Sequence, residues 1–138
     1  MVKYVLDACA LIALMNKEEG ACHVAMIYKK AADGEAEVIM NKVNLLEVYY
    51  GYLKEDGEEF AEQQLANIES SIVEINDVIS DKIMRQAGKL KNSFRKMSLA
   101  DSFAVAQAIV SDSILVTSDH HELDVIDNNG VVKFFWIR

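Results

Sequence analysis

Apolar positions recur along the chain in two rhythms. Short β-branched and aromatic runs at residues 3–6, 37–40, 72–75, 113–117 and 131–137 predict strands. Between them, stretches with helical spacing or helix-forming composition predict helices over 8–15, 20–32, 42–54, 58–70, 77–92 and 99–110. A weaker helix runs to Ile126, and Asn128-Asn129-Gly130 reads as a turn before the last strand. The stretch 99–110 is apolar nearly all round, with Ala at four positions, which predicts a helix inside the molecule. Strands alternating with helices, several of the strands apolar throughout, predict a parallel sheet covered on both faces. The length of 138 residues fits one unit over 1–138.

In open parallel sheets, ligands gather outside the carboxyl ends of the strands, so the residues just after each strand are the ones to inspect. Asp7 follows the first strand, and Asp119 comes two residues after the strand that ends at Thr117. Each also reads as a helix N-cap. Glu47 lies within Val43-Asn-Leu-Leu-Glu-Val-Tyr-Tyr50 and shares a helical face with Val43, Leu46 and Tyr50. A carboxylate among apolar neighbours needs a partner, and a cation is the more economical one. Asp101 stands three residues after Ser98 at the start of the apolar helix. That spacing is a capping box, a role compatible with ligation. Four such acids suit one or two hard cations, Mg²⁺ or Mn²⁺. His23, His120 and His121 offer no zinc spacing, and neither do Cys9 and Cys22, which read as reduced thiols.

Composition narrows the class. Hydrophobic residues make up 51% of the chain, enough to form a core without staples, and no apolar run reaches the length of roughly 18 residues of a membrane span. Asp7 interrupts the apolar stretch that would otherwise pass for a signal sequence, so a cytoplasmic location is expected. The net charge of −8 opposes a polyanionic partner, but the basic residues are unevenly placed. Lys82, Arg85, Lys89, Lys91, Arg95 and Lys96 form a stretch without a single acid, which runs into the Ser98-to-Asp101 segment and is the expected contact for a polyanionic partner. Tyr49, Tyr50 and Tyr52 add faces on which bases stack or helices pack.

Taken together, Val5-Leu-Asp7-Ala-Cys-Ala-Leu-Ile-Ala-Leu14, Leu46-Glu47-Val-Tyr-Tyr-Gly51, Ser98-Leu-Ala-Asp101-Ser-Phe-Ala-Val-Ala106 and Leu115-Val-Thr-Ser-Asp119 resemble the PIN-domain ribonucleases, in particular the small VapC-like toxins of toxin–antitoxin pairs. The resemblance covers essentially the whole chain. It implies a three-layer α/β/α sandwich with a central parallel sheet, and a metal-dependent endoribonuclease whose acidic quartet is Asp7, Glu47, Asp101 and Asp119. Thr117 or Ser118 would support the last acid. It also implies a homodimer and a separately encoded antitoxin. The chain departs from many relatives at Cys9, where they carry a hydroxyl residue, and Asp124 reads as a solvated surface acid rather than a fifth member. No Ser-His-Asp set, Cys-His pair or phosphate-cradling glycine loop is present, so metal-activated water is the expected attacker.

Two other readings share these acids. A receiver-type Mg²⁺-binding signalling domain requires an acceptor aspartate at a middle strand end, where this chain has Met40-Asn41 and Ile75-Asn-Asp77. A catalytically inactive PIN-like module that binds RNA or protein would have lost acids that are intact here.

Overall fold

The computed structural model describes all residues, 1–138. Five strands, β1 (Val2–Leu6), β2 (Ala36–Asn41), β3 (Glu74–Asn76), β4 (Ile114–Thr117) and β5 (Lys133–Trp136), form one sheet in the order β3-β2-β1-β4-β5. Every pairing is parallel, with Val5 opposite Ile39 and Leu115 in the flanking strands. The seven helices are α1 (Ala8–Met15), α2 (Ala21–Ala32), α3 (Lys42–Asp56), α4 (Glu58–Glu69), α5 (Asp81–Ser93), α6 (Leu99–Val110) and α7 (His120–Asn129).

Strand side chains alternate between faces, so each strand feeds two cores. Tyr4, Leu6 and Val116 pack with buried residues of α1 to α4, including Leu11, Ile27, Val48 and Ile68. Val5 and Leu115 pack on the other face with Ile83 and Leu90 of α5, Val105 of α6, and Leu123 and Ile126 of α7. The result is an α/β/α sandwich, as the resemblance implied. None of these helices is long and apolar enough to cross a membrane.

The chain runs outward from β1 through β2 to β3, then returns through α5 and α6 to place β4 on the other side of β1. The sheet therefore reverses its winding between β1 and β4, and the crevice at the carboxyl ends of those strands is where such a sheet holds ligands. Asp7 and Asp119 flank it.

Several expected boundaries move. The third strand is only Glu74–Asn76, and Ile72 before it is half exposed. The following helix starts at Asp81 rather than 77, because Asn76 Oδ1 accepts the amide of Val78 at 3.2 Å and Ser80 then caps the helix through the amide of Ile83 at 3.2 Å. These side chains satisfy amides that an earlier helical start would have claimed. The seventh helix runs on to Asn129 with Gly130 in the left-handed conformation at its end, which shortens the last strand to Lys133–Trp136. At Gly20, with φ of 94°, a Cβ would stand 2.6 Å from the carbonyl oxygen of Ile137, so glycine alone permits this approach of α2 to the end of the sheet.

Candidate active site

Asp7 is 1% exposed and fully engaged. Its Oδ1 accepts the amide of Ala10 at 2.9 Å, capping α1, and its Oδ2 accepts the hydroxyl of Thr117. The cap and the site are therefore the same carboxylate. Thr117 Oγ1 also accepts the amide of Asp119 at 3.0 Å, so one hydroxyl at the end of β4 ties the two strand-edge acids together. Asp119 in turn caps α7, its Oδ1 accepting the amide of Glu122 at 3.3 Å. The hydroxyl of Ser118 is buried without a partner and holds neither acid.

Glu47 is placed otherwise than its sequence neighbours suggested. The buried face of α3 carries Asn44, Leu45, Val48 and Tyr52, whereas Leu46 and Tyr50 are exposed. Glu47 stands at the margin of these faces, half-buried, with Oε1 accepting from Nδ2 of Asn44 at 3.3 Å. Asn44 is fully buried and also donates to the carbonyl of Ala100 at 3.0 Å, so it joins α3 to the start of α6 and aims Glu47 across the gap. Two of the tyrosines are committed within the fold, Tyr49 to Glu62 and Tyr52 to Asn16, which leaves Tyr50 as the exposed one.

Asp101 occupies the first turn of α6, and its amide donates to Oγ of Ser98 at 3.1 Å. The reciprocal half of the capping box is absent. The amide of Ser98 goes instead to Oε2 of Glu122, on α7, at 3.3 Å. Asp101 Oδ2 is thereby left buried with no partner.

Asp7, Glu47, Asp101, Asp119 and Glu122 line one cavity of about 210 Å³, together with Ala8, Cys9 and Ser98. Ligand oxygens of Asp101, Asp119 and Glu122 lie within 4.8 Å of one another, and no basic side chain lines the space. Glu122 was not among the acids singled out from the sequence. Its signal was there, since Asp119 and Glu122 stand at capping-box spacing. Asp124 lies outside the cavity, exposed and paired with His120 at 2.8 Å. Cys9 lines the cavity without being part of the acidic group.

The electrostatics follow from burial and crowding. Burial pushes the Asp7 carboxyl up to about 7 despite its bonds from Thr117 and Ala10, with Asp119 and Glu47 adding repulsion. Burial also raises Asp101, followed by the hydrogen bond and the charge it shares with Glu122. Glu122 moves down, with the same bond as the largest cause. Glu47 is raised by burial, and the Cys9 thiol is pushed up to about 12 by burial and the surrounding acids.

This donor set fits a hard divalent cation. Octahedral Mg²⁺ with oxygens at about 2.1 Å holds adjacent ligands about 3.0 Å apart and opposite ones about 4.2 Å apart, so the three closest carboxylates would draw in around it. A cation would also satisfy the orphaned Asp101 Oδ2. At about 30 Å³ per water, the cavity has room for an ion or two with part of their hydration.

The middle strand ends carry amides rather than an acceptor carboxylate. Asn41 and Asn76 both donate to Oε1 of Gln107, at 3.2 and 2.6 Å, and the three close off the β2 and β3 side of the edge. A receiver-type acceptor has no place there. Of the six basic residues, Lys82, Arg85 and Lys89 are exposed on α5 and line neither the acidic cavity nor the one beside it. Lys91 donates to the carbonyls of Arg95 and Met97 at 2.7 and 2.6 Å. Arg95 and Lys96 border the adjoining cavity.

The PIN domain family model matches residues 4–128. No curated protein matches the sequence significantly. Among solved structures, DNA-bound VapBC from Salmonella typhimurium superposes with a TM-score of 0.77 at 16% identity over 100% of both chains. VapBC-1 from nontypeable Haemophilus influenzae gives 0.72 at 16% identity, over 99% of this chain and 98% of that one. PAE2754 from Pyrobaculum aerophilum gives 0.59 at 23% identity, over 89% and 84%. At these identities the likeness is one of fold.

Proposed function

The chain belongs to the PIN domain family, and from that premise we propose that it is a divalent-metal-dependent endoribonuclease acting as the toxin of a toxin–antitoxin pair. One observation carries the reading: Asp7, Glu47, Asp101 and Asp119, from four separate segments, and Glu122 from α7 converge on a cavity with no basic lining residue. No buried cation neutralises them from within the protein, so the arrangement is costly unless a metal completes it.

Asp7, Asp101, Asp119 and Glu122 would hold Mg²⁺ or Mn²⁺, and Glu47, engaged through only one oxygen, would complete the open side of the site. Such a cation, when bound, supplies an acidified water and compensates charge on the leaving oxygen. The protein's own part is positional. Thr117 fixes Asp7 and Asp119 against each other, Asn44 fixes Glu47 against α6, and Ser98 fixes Glu122 against the start of α6. RNA is the substrate of this reading, and the basic side chains beside the cavity offset its negative field. The relatives from Salmonella typhimurium and Haemophilus influenzae are described as VapBC. By analogy, a cognate antitoxin, a homodimer and a cytoplasmic setting belong to the proposal.

Incubation of the purified protein with RNA in Mg²⁺ or Mn²⁺ tests it. Internal cleavage that stops in excess chelator and is abolished in Asp101→Asn is expected. Cleavage that persists in chelator or in the variant overturns it.

A further inference from the structure

A second cavity, of about 410 Å³, lies directly beside the acidic one and shares Glu122 as a wall. Its other walls include Phe94, Arg95 and Lys96 on the α5–α6 loop, and His121 and Val125 on α7. The two spaces differ in kind. The acidic cavity is the size of hydrated ions, whereas the second falls within the range of about 300–1,000 Å³ typical of sites for small organic groups. It combines cationic side chains with apolar and aromatic surface, the pairing that single-stranded nucleic acid engages through its phosphates and bases.

The loop that presents these residues is held in place. The amide of Phe94 donates to Leu90 at 2.8 Å, and that of Met97 to the carbonyl of Phe94 at 3.0 Å. The Lys91 ammonium clamps the carbonyls of Arg95 and Met97, and Ser98 closes the loop onto Glu122. Lys91 thus gives up its freedom to the loop, while Arg95 and Lys96 stay exposed with no carboxylate partner. With the loop backbone braced, Arg95 and Lys96 spend side-chain entropy but no loop entropy in meeting a phosphate.

We propose that this cavity is the subsite for the nucleotide next to the scissile phosphate of single-stranded RNA, with Arg95 and Lys96 meeting its phosphate and Phe94 and Val125 walling its base. The inference rests on the nuclease reading above and assigns it a path. RNA enters over the α5–α6 loop and crosses Glu122, and the outward cations of α5 contribute only long-range attraction.

The test compares two double variants that lose the same charge, Arg95→Ala/Lys96→Ala at the subsite and Lys29→Ala/Lys30→Ala on α2 in the opposite layer. Binding of fluorescent single-stranded oligoribonucleotides is read by anisotropy, each double being placed in the full-length Asp101→Asn protein with Mg²⁺. The subsite double is expected to bind about tenfold more weakly and to lower the slope of log affinity against log salt by about 0.7, one single-strand phosphate contact. The α2 double should stay within about twofold of the Asp101→Asn protein alone. In the cleaving background, the subsite double should also change which phosphodiester bonds are cut. Equal effects of the two doubles on binding, with an unchanged cleavage pattern, overturn the subsite while leaving the nuclease intact. A parent protein that neither binds nor cleaves RNA overturns both.

Discussion

The amide of Ser98 donates to Oε2 of Glu122, 24 residues further along, and not to Asp101, three residues further along. This exchange of partners decides the chemistry of the site. In a complete capping box, the Asp101 carboxylate would be spent on its own helix start. Here α7 supplies the acceptor, and Asp101 keeps an unpartnered oxygen in the cavity.

Glu122 therefore has two separable roles. Glu122→Gln retains an acceptor for Ser98 but removes a charge, so the metal-free fold should hold its melting temperature while affinity for Mn²⁺ falls at least about tenfold. Glu122→Ala should also lose the tie to α6, at a cost of about 0.5–2 kcal/mol. Thermal melts and metal titration of both variants check this. Equal destabilisation by the two would assign Glu122 to structure alone.

The metal-free protein should lose stability as pH rises. Asp7 binds its proton up to about pH 7 in the fold but only to about 3.8 when unfolded. Between those values the folded state holds more protons, so stability is greatest below the lower value and declines until the upper one. The decline amounts to at most about 4 kcal/mol for this group. Raised Asp101 extends it to higher pH, while lowered Glu122 works in the opposite sense at the acidic end. Asp101→Asn removes the cost of burying that acid, and its amide can still donate to Glu122. The variant should melt higher than the parent in chelator near neutral pH, and gain less from saturating metal. Melts across pH 4–8 in chelator and in Mg²⁺ check both, and a metal-free stability that climbs toward pH 8 would contradict the assignment.

Thr117→Val keeps the shape and deletes a hydroxyl shared by two acids. The amide of Asp119 loses its acceptor and Asp7 a donor, which should cost about 1–3 kcal/mol. Because the Thr117 bond lowers the Asp7 pKa, its loss should move the acidic limb of the pH–rate profile upward. Thr117→Ser should restore both. Unchanged pH dependence in Thr117→Val would show the hydroxyl to be a packing detail.

The order of strands and helices, and the acids at the strand ends, were legible in the sequence because they depend on neighbours a few residues away. Apolar rhythm marked β1 and β4, and Asp7 and Asp119 stood where those strands had to stop. Local spacing also misled. It placed Glu47 on a face with Leu46 and Tyr50 that proves to be exposed, and it closed a capping box at Ser98 that stays open. It set six basic residues in one row, of which Lys91 braces the loop and only Arg95 and Lys96 reach the cavity beside the acids. Glu122, Asn44 and the double duty of Thr117 rest on bonds between segments far apart in the chain, 110 residues for Thr117 and Asp7. Such bonds exist only once both faces of the sheet are packed, since a side chain's distant partner is chosen by how helices settle on strands and not by its own periodicity.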